Sequence, residues 1–189
     1  MARFFIDTEF VEAGAGSPIY LLSIGIVAED GREYYSQLHY DKYPDVSDWV
    51  ARNVLPSLRH FNMGTRGRSC VRADATSQDR VSAKCRESDC PWRGIYSIRH
   101  EVKTFCNSDT YGTPEFWGYF SDYDWVVFCQ IFGSMVHLPS GWPMYCHDLK
   151  QLCDALGNPD LPEQVGAEHH ALADARWNRD VWHFLNDRK

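Results

Sequence analysis

Hydrophobic positions along this chain recur first with a period of two and then with spacings of three and four. Ala2 to Asp7 is an apolar run rich in Phe and Ile, and it reads as a first strand. Glu12 to Pro18, with Gly14, Gly16 and Pro18, reads as a turn. Ile19 to Ala28 is a long apolar second strand, and Glu29-Asp30-Gly31 is a tight hairpin turn into a third, Glu33 to His39, with many aromatics. These three predict an antiparallel meander. Ser47 caps a helix running to about Val54, and Pro56 follows its end.

Residues Asn62 to Gly94 break the pattern. They are rich in Gly, Arg, Ser and Asp and poor in large apolar side chains, and they read as an insertion in a single domain. Helical spacing returns in Ile98 to Cys106, with Ile98, Val102 and Phe105 on one face. Glu115 to Phe120 reads as a fourth strand, Tyr123 to Phe132 as an apolar helix and Pro143 to Cys146 as a short fifth strand. His147-Asp148 opens the helix Leu149 to Leu156, Gly157 ends it, and a last helix runs from about His170 to Leu185. Three antiparallel strands followed by alternating strands and helices predict an α/β domain with a mixed five-stranded sheet.

The first strand ends in Asp7-Thr8-Glu9-Phe10. A strand has a side-chain period of two, so Arg3, Phe5, Asp7 and Glu9 share one face. Two carboxylates held that close are stable together only with a proton or a cation between them. Both are hard oxygen ligands of the kind that suits magnesium or manganese. The plainer reading is a strand end meeting solvent, and the pair alone favours it. Asp124 adds weight, because Val127, Phe128 and Ile131 follow at spacings of three, four and seven and place it on the inward stripe of its helix. A carboxylate there is costly without a partner. Asp122 suits the capping role better. His169 and Asp174 are five apart and converge if His169 sits just before the last helix and Asp174 in its first turns.

Charge changes the picture in one respect. The net charge is −7, yet Arg59 to Lys103 holds ten Lys or Arg against five Asp or Glu, while the remainder holds nine against twenty-one. A basic segment on an acidic body suits a polyanion approaching a metal-loaded site; a merely charged surface insertion is the competing reading. The chain runs from Met-Ala-Arg directly into the first strand, without a signal peptide, and no apolar run approaches a transmembrane length. Seven cysteines without regular spacing imply a reduced, cytoplasmic protein. Cys70, Cys85 and Cys90 fall in the insertion, and with His60 as a fourth ligand they form one candidate structural zinc site; His100 and Cys106 are other candidates for that fourth place. A surface loop with free thiols is the other reading.

Together, Asp7-Thr8-Glu9, Tyr123-Asp124 and His169-x-x-x-x-Asp174 match three motifs in order. The chain resembles the DEDDh family of 3′–5′ exonucleases, and among them the small mycobacterial-type 3′–5′ exoribonucleases. That resemblance also takes in Leu-Leu-Ser-Ile-Gly-Ile-Val, Asn-Val-Leu-Pro, Tyr-Asp-Trp-Val-Val-Phe-Cys-Gln-Ile-Phe-Gly and His-Asp-Leu-Lys-Gln-Leu, and covers nearly everything except Asn62 to Gly94. The Asn often found upstream of the second-motif Asp is absent, with Phe120 nearby instead. The resemblance implies a ribonuclease H-like fold and two Mg²⁺ or Mn²⁺ ions roughly 4 Å apart that clamp the scissile phosphate. Asp7 would bridge both ions, Glu9 and Asp174 would hold the one carrying the attacking water, and Asp124 would act on the second. His169 would take the water's proton, a role for which imidazole is suited. Thr8 and Phe10 would contact the terminal nucleotide, Phe10 by stacking on a base. The implied substrate is single-stranded nucleic acid, RNA rather than DNA, and the family suggests a homodimer. A DNA-directed exonuclease of the same family is one alternative function. Another is a zinc-stabilised RNA-binding module with a vestigial nuclease site, which four intact carboxylates and the histidine argue against.

Overall fold

A computed structural model describes residues 2–12, 14–40, 45–59, 61–62, 67–68, 89–166 and 168–187. In chain order the elements are β1 (Ala2–Val11), β2 (Tyr20–Ala28), β3 (Glu33–Leu38), α1 (Asp48–Asn53), the short β4 (Phe61–Asn62) and β5 (Gly67–Arg68), and β6 (Trp92–Arg93). They continue with α2 (Ile95–Phe105), α3 (Ser108–Tyr111), β7 (Pro114–Gly118), α4 (Asp122–Ile131), β8 (His147–Asp148), α5 (Leu149–Ala155) and α6 (Ala171–Asn186). The main sheet has the order β6-β3-β2-β1-β7-β8. β1, β2 and β3 form the expected antiparallel meander, and β7 and β8 add parallel to it on the β1 side.

The sheet has six strands where the sequence pattern predicts five. The extra one, β6, comes from the span read as an insertion and pairs parallel to β3 through Gln37 and Trp92. Two residues are too short to show a period, but Trp92 has a physical reason to be there. It is buried with Val11, Leu22, Leu55 and Cys90. His60, Cys70 and Cys85, three of the four candidate zinc ligands, lie outside the described residues. Boundaries also shift, and α2 begins at Ile95, three residues before the expected Ile98. β1 continues past Asp7 to Val11, so Asp7 and Glu9 lie within a strand and not at its end. β7 stops at Gly118, because Phe120 leaves extended geometry with φ +53°. The last strand is His147–Asp148, not Pro143 to Cys146. Asp148 still opens its helix, where its carboxylate accepts the Gln151 N–H at 3.0 Å.

Both faces of the sheet are covered. Phe4, Ile6, Ile24 and Ile26 pack on one side against Ile98 and Val102 of α2 and Val127 and Phe128 of α4. Phe5 and Val27 pack on the other against Ala175 of α6. Alternation along β1 therefore sends neighbouring residues to different helices, as the pleat requires. α6 sits very close to the sheet. At Gly25 of β2 a Cβ would lie 2.3 Å from the Ala171 carbonyl oxygen, so only glycine fits. Gly25 is the cross-strand partner of Asp7. The close approach thus sets the start of α6 over the acidic part of β1. Asn178 holds it there, its side-chain amide donating to the Ile6 carbonyl at 2.9 Å in a buried position. No helix among the described residues is long and apolar enough to cross a membrane.

Candidate active site

Three separate segments converge on one cleft of about 330 Å³, whose walls include Asp7, Thr8, Glu9, Phe10, Asp124, His169 and Asp174. Asp7 and Glu9 come from β1, two residues apart on the face that α6 covers. Asp174 comes from the first turn of α6. One carboxylate oxygen from each of these three lies within 4.8 Å of the others. Asp124, in the first turn of α4, approaches from the other side of β1 and is only 8% exposed. Its Oδ1 accepts both the Thr8 N–H at 2.8 Å and the Thr8 hydroxyl at 2.6 Å. The inward stripe read from the sequence is thus the observed one. The capping assignment is not, because the N-cap residue is Ser121 and Asp122 is exposed. The Ser121 N–H is itself taken by the Asp148 carboxylate at 2.7 Å.

The carboxylates are held against their own repulsion. Burial, followed by the charges of Asp124, Asp174 and Glu9, raises Asp7 well above the usual carboxylate range. Burial, with Asp174 and Asp124 beside it, pushes Glu9 up to about 8. Burial also raises Asp124, to about 6, against the two Thr8 hydrogen bonds that favour its charged form. Asp174 is raised by burial too, although it accepts hydrogen bonds from the Gln164 side-chain amide and, at 3.0 Å, from the His170 N–H. Such a set, each member holding its proton more tightly than an ordinary carboxylate does, is poised to ionise around hard cations. Asp7, Glu9 and Asp174 are the residues that fit a shared ion, and Asp124 stands beside them.

His169 precedes α6 in the left-handed region at φ +60°, a conformation His adopts more readily than most residues. Its ring meets Trp49 edge-on at 4.9 Å, and the Ser57 hydroxyl lies 2.7 Å from its carbonyl oxygen. His170 points elsewhere and stacks on Tyr35 at 4.6 Å. Burial lowers the His170 pKa. The two neighbouring histidines are thereby separated, one lining the cleft and the other packed against β3. Phe10 also lines the cleft, with one face stacked on Tyr123 at 5.7 Å.

Sequence reasoning missed several contributors. Gln164, Tyr119 and Trp177 line the cleft, and Gly25 and Asn178 position its walls. Asn178 had a usable signal, because it follows Asp174 by four residues and so shares its helix face. Gln164 had none, since it lies in an irregular segment before α6.

A family model described as the Rv2179c-like 3′-5′ exoribonuclease domain matches residues 2–186. The chain belongs to this family. Two relatives from Mycobacterium tuberculosis, 3′-5′ exoribonuclease MT2234.1 (strain CDC 1551 / Oshkosh) and 3′-5′ exoribonuclease Rv2179c (strain ATCC 25618 / H37Rv), are each 34% identical over 174 residues. That span is 92% of this chain and 87% of theirs. The fold of this Rv2179c-like domain is ribonuclease H-like and is shared at lower identity with solved exonucleases. One is a 3′-exonuclease in a study of 3′-end specific recognition of histone mRNA stem-loop, with TM-score 0.50, 13% identity and coverage of 98% of this chain and 82% of that one. Another is the Saccharomyces cerevisiae Pan2 pseudoubiquitin hydrolase–RNA exonuclease module in complex with A7 RNA, with TM-score 0.52 and 12% identity. It is covered over 29% of its own length and 99% of this chain.

Proposed function

We propose that this protein is a 3′–5′ exoribonuclease of the DEDDh type that releases nucleoside 5′-monophosphates from single-stranded RNA ends. The observation that carries the reading is the convergence of Asp7, Glu9 and Asp174 in one cleft with Asp124 and His169, in a chain of an exoribonuclease family. Asp7, Glu9 and Asp174 would hold one divalent cation, with Asp7 shared towards a second near Asp124; Mg²⁺ or Mn²⁺ suits these oxygen donors. Bound there, the cations supply charge neutralisation for the scissile phosphate and a more acidic water. The protein's own parts do the rest. Thr8 orients Asp124 through two hydrogen bonds. Gln164 and the His170 N–H orient Asp174. His169, at the mouth of α6, accepts the proton of the attacking water. Phe10 offers its remaining ring face to the terminal base.

The test is incubation with 5′-labelled single-stranded RNA and DNA of equal sequence, with and without magnesium. A ladder that shortens from the 3′ end, needs the metal, yields 5′-monophosphates and favours RNA is the expected result. Absence of metal-dependent hydrolysis would overturn the reading, and preferential degradation of DNA would reassign the substrate.

A further inference from the structure

Three non-glycine residues have positive φ among the described residues: Phe120 at 53°, Asn158 at 54° and His169 at 60°. Asn and His are the residue types that enter this region most readily, and an aromatic there is an outlier. Strain of this kind persists where the surroundings over-determine it, commonly beside binding sites. The restraints at Phe120 are visible. Gly118 approaches the next turn so closely that a Cβ would lie 2.7 Å from the Ser121 Cβ. The Ser121 N–H is fixed by Asp148. The strained backbone between them turns a phenyl ring out to solvent, 64% exposed.

That ring is not isolated. It meets Tyr119 edge-on at 4.8 Å, and Tyr119 meets Trp177 edge-on at 5.0 Å. Tyr119 and Trp177 line the acidic cleft. A line of three aromatics therefore runs from the cleft wall outward and ends at Phe120. Phe10, stacked on Tyr123, stands at the cleft as a separate pair. An exposed flat ring continuous with a cleft that accepts a nucleic-acid end suits a nucleobase, because every base has a face to stack and none needs a matched hydrogen-bond pattern.

We propose that Phe120, backed by Tyr119, is a base-stacking subsite for a nucleotide upstream of the terminal one in single-stranded RNA. The inference rests on the exoribonuclease reading for its ligand, and it assigns the exposed ring a role in substrate length preference. Binding is read without turnover, by fluorescence anisotropy of a labelled five-nucleotide RNA and by competition with adenosine 5′-monophosphate, both in calcium. Phe120→Asn keeps a residue suited to positive φ, so it should melt no lower than the parent. It should weaken five-nucleotide binding on the order of tenfold while changing mononucleotide competition less than twofold. Phe120→Trp should bind the five-mer at least as well as the parent. Equal weakening of both ligands, or an unaltered five-mer affinity in Phe120→Asn, would overturn the subsite. Phe120-dependent binding without magnesium-dependent hydrolysis would instead leave the subsite standing and remove the nuclease reading.

Discussion

Thr8 donates twice to a single carboxylate oxygen of Asp124, from its backbone N–H at 2.8 Å and from its hydroxyl at 2.6 Å. The middle residue of the first motif thus aims the carboxylate of the second. Thr8→Val keeps the shape and removes the hydroxyl. Losses of about 10–100-fold in metal affinity or activity are typical when the partner of a ligand is removed, and Thr8→Val should fall in that range. Thr8→Ser should retain most activity. Magnesium titration of initial rates for the two variants separates them.

Asp7→Ala and Asp174→Ala should abolish turnover, because each removes a group from the converging set of three. Without metal, neither variant should melt below the metal-free parent at neutral pH, since each substitution relieves repulsion among buried like charges. Wild-type-like hydrolysis by either variant would remove the shared ion from the scheme.

Stability of the metal-free protein should fall as pH rises. Glu9 is shifted from an ordinary value of 4.5 to about 8, so the folded state holds its proton more tightly than the unfolded chain does. The stabilisation is fully present below about pH 4.5 and is lost as pH climbs through about 8. Asp7 and Asp124 shift in the same direction. Melting in chelator at pH 5 and pH 8.5 checks the sign, and magnesium should flatten the difference by favouring the ionised set.

His169→Ala should lower kcat by roughly 10²–10⁴-fold, the range for a lost general base, with the carboxylates still able to bind metal. His170→Ala should act on stability instead. It removes the ring stacked on Tyr35 at 4.6 Å, a contact worth about 0.5–1.5 kcal/mol beyond its buried area. Its N–H on Asp174 belongs to the backbone and remains. Urea unfolding and single-turnover rates for both variants distinguish the roles, and a larger chemical defect in His170→Ala would move the base by one residue.

Gly25→Ala should destabilise the fold by about 1–3 kcal/mol or more, as overpacking does. The new Cβ would meet the Ala171 carbonyl oxygen at 2.3 Å, and backbone cannot give way as a side-chain tip can. α6 would have to lift, and Asp174 with it, so magnesium affinity should fall together with stability. A variant that loses stability but keeps metal affinity would show that Asp174 is positioned from elsewhere.

Much of this arrangement is legible in the residues themselves. Period-two alternation places Asp7 and Glu9 on one face, and the helical stripe places Asp124 inward, because both patterns follow from burial. The join between His169 and Asp174 is readable only as a possibility, since spacing of five does not align two residues on a helix. It needs His169 outside α6, with backbone geometry that no composition announces. Phe120 shows the same limit, as its turned-out ring depends on Gly118 and Asp148 meeting the same loop. β6 is not legible because two residues carry no period; the burial of Trp92 and the hydrogen bonds of Gln37 and His39 to Pro91 and Arg93 account for its pairing.

The dependence of the cleft on α6 has a consequence for synthesis. Asp7 and Glu9 are translated first, Asp124 much later, and His169 and Asp174 only after nearly all of the sheet has been made. Until α6 docks on Phe5, Val27 and Gly25, the carboxylates of β1 lack Asp174. If the proposed site is the catalytic one, a nascent chain surrounded by ribosomal and messenger RNA would carry only separated fragments of it. On the proposed site, activity would begin only when the last long helix closes over the strand made first.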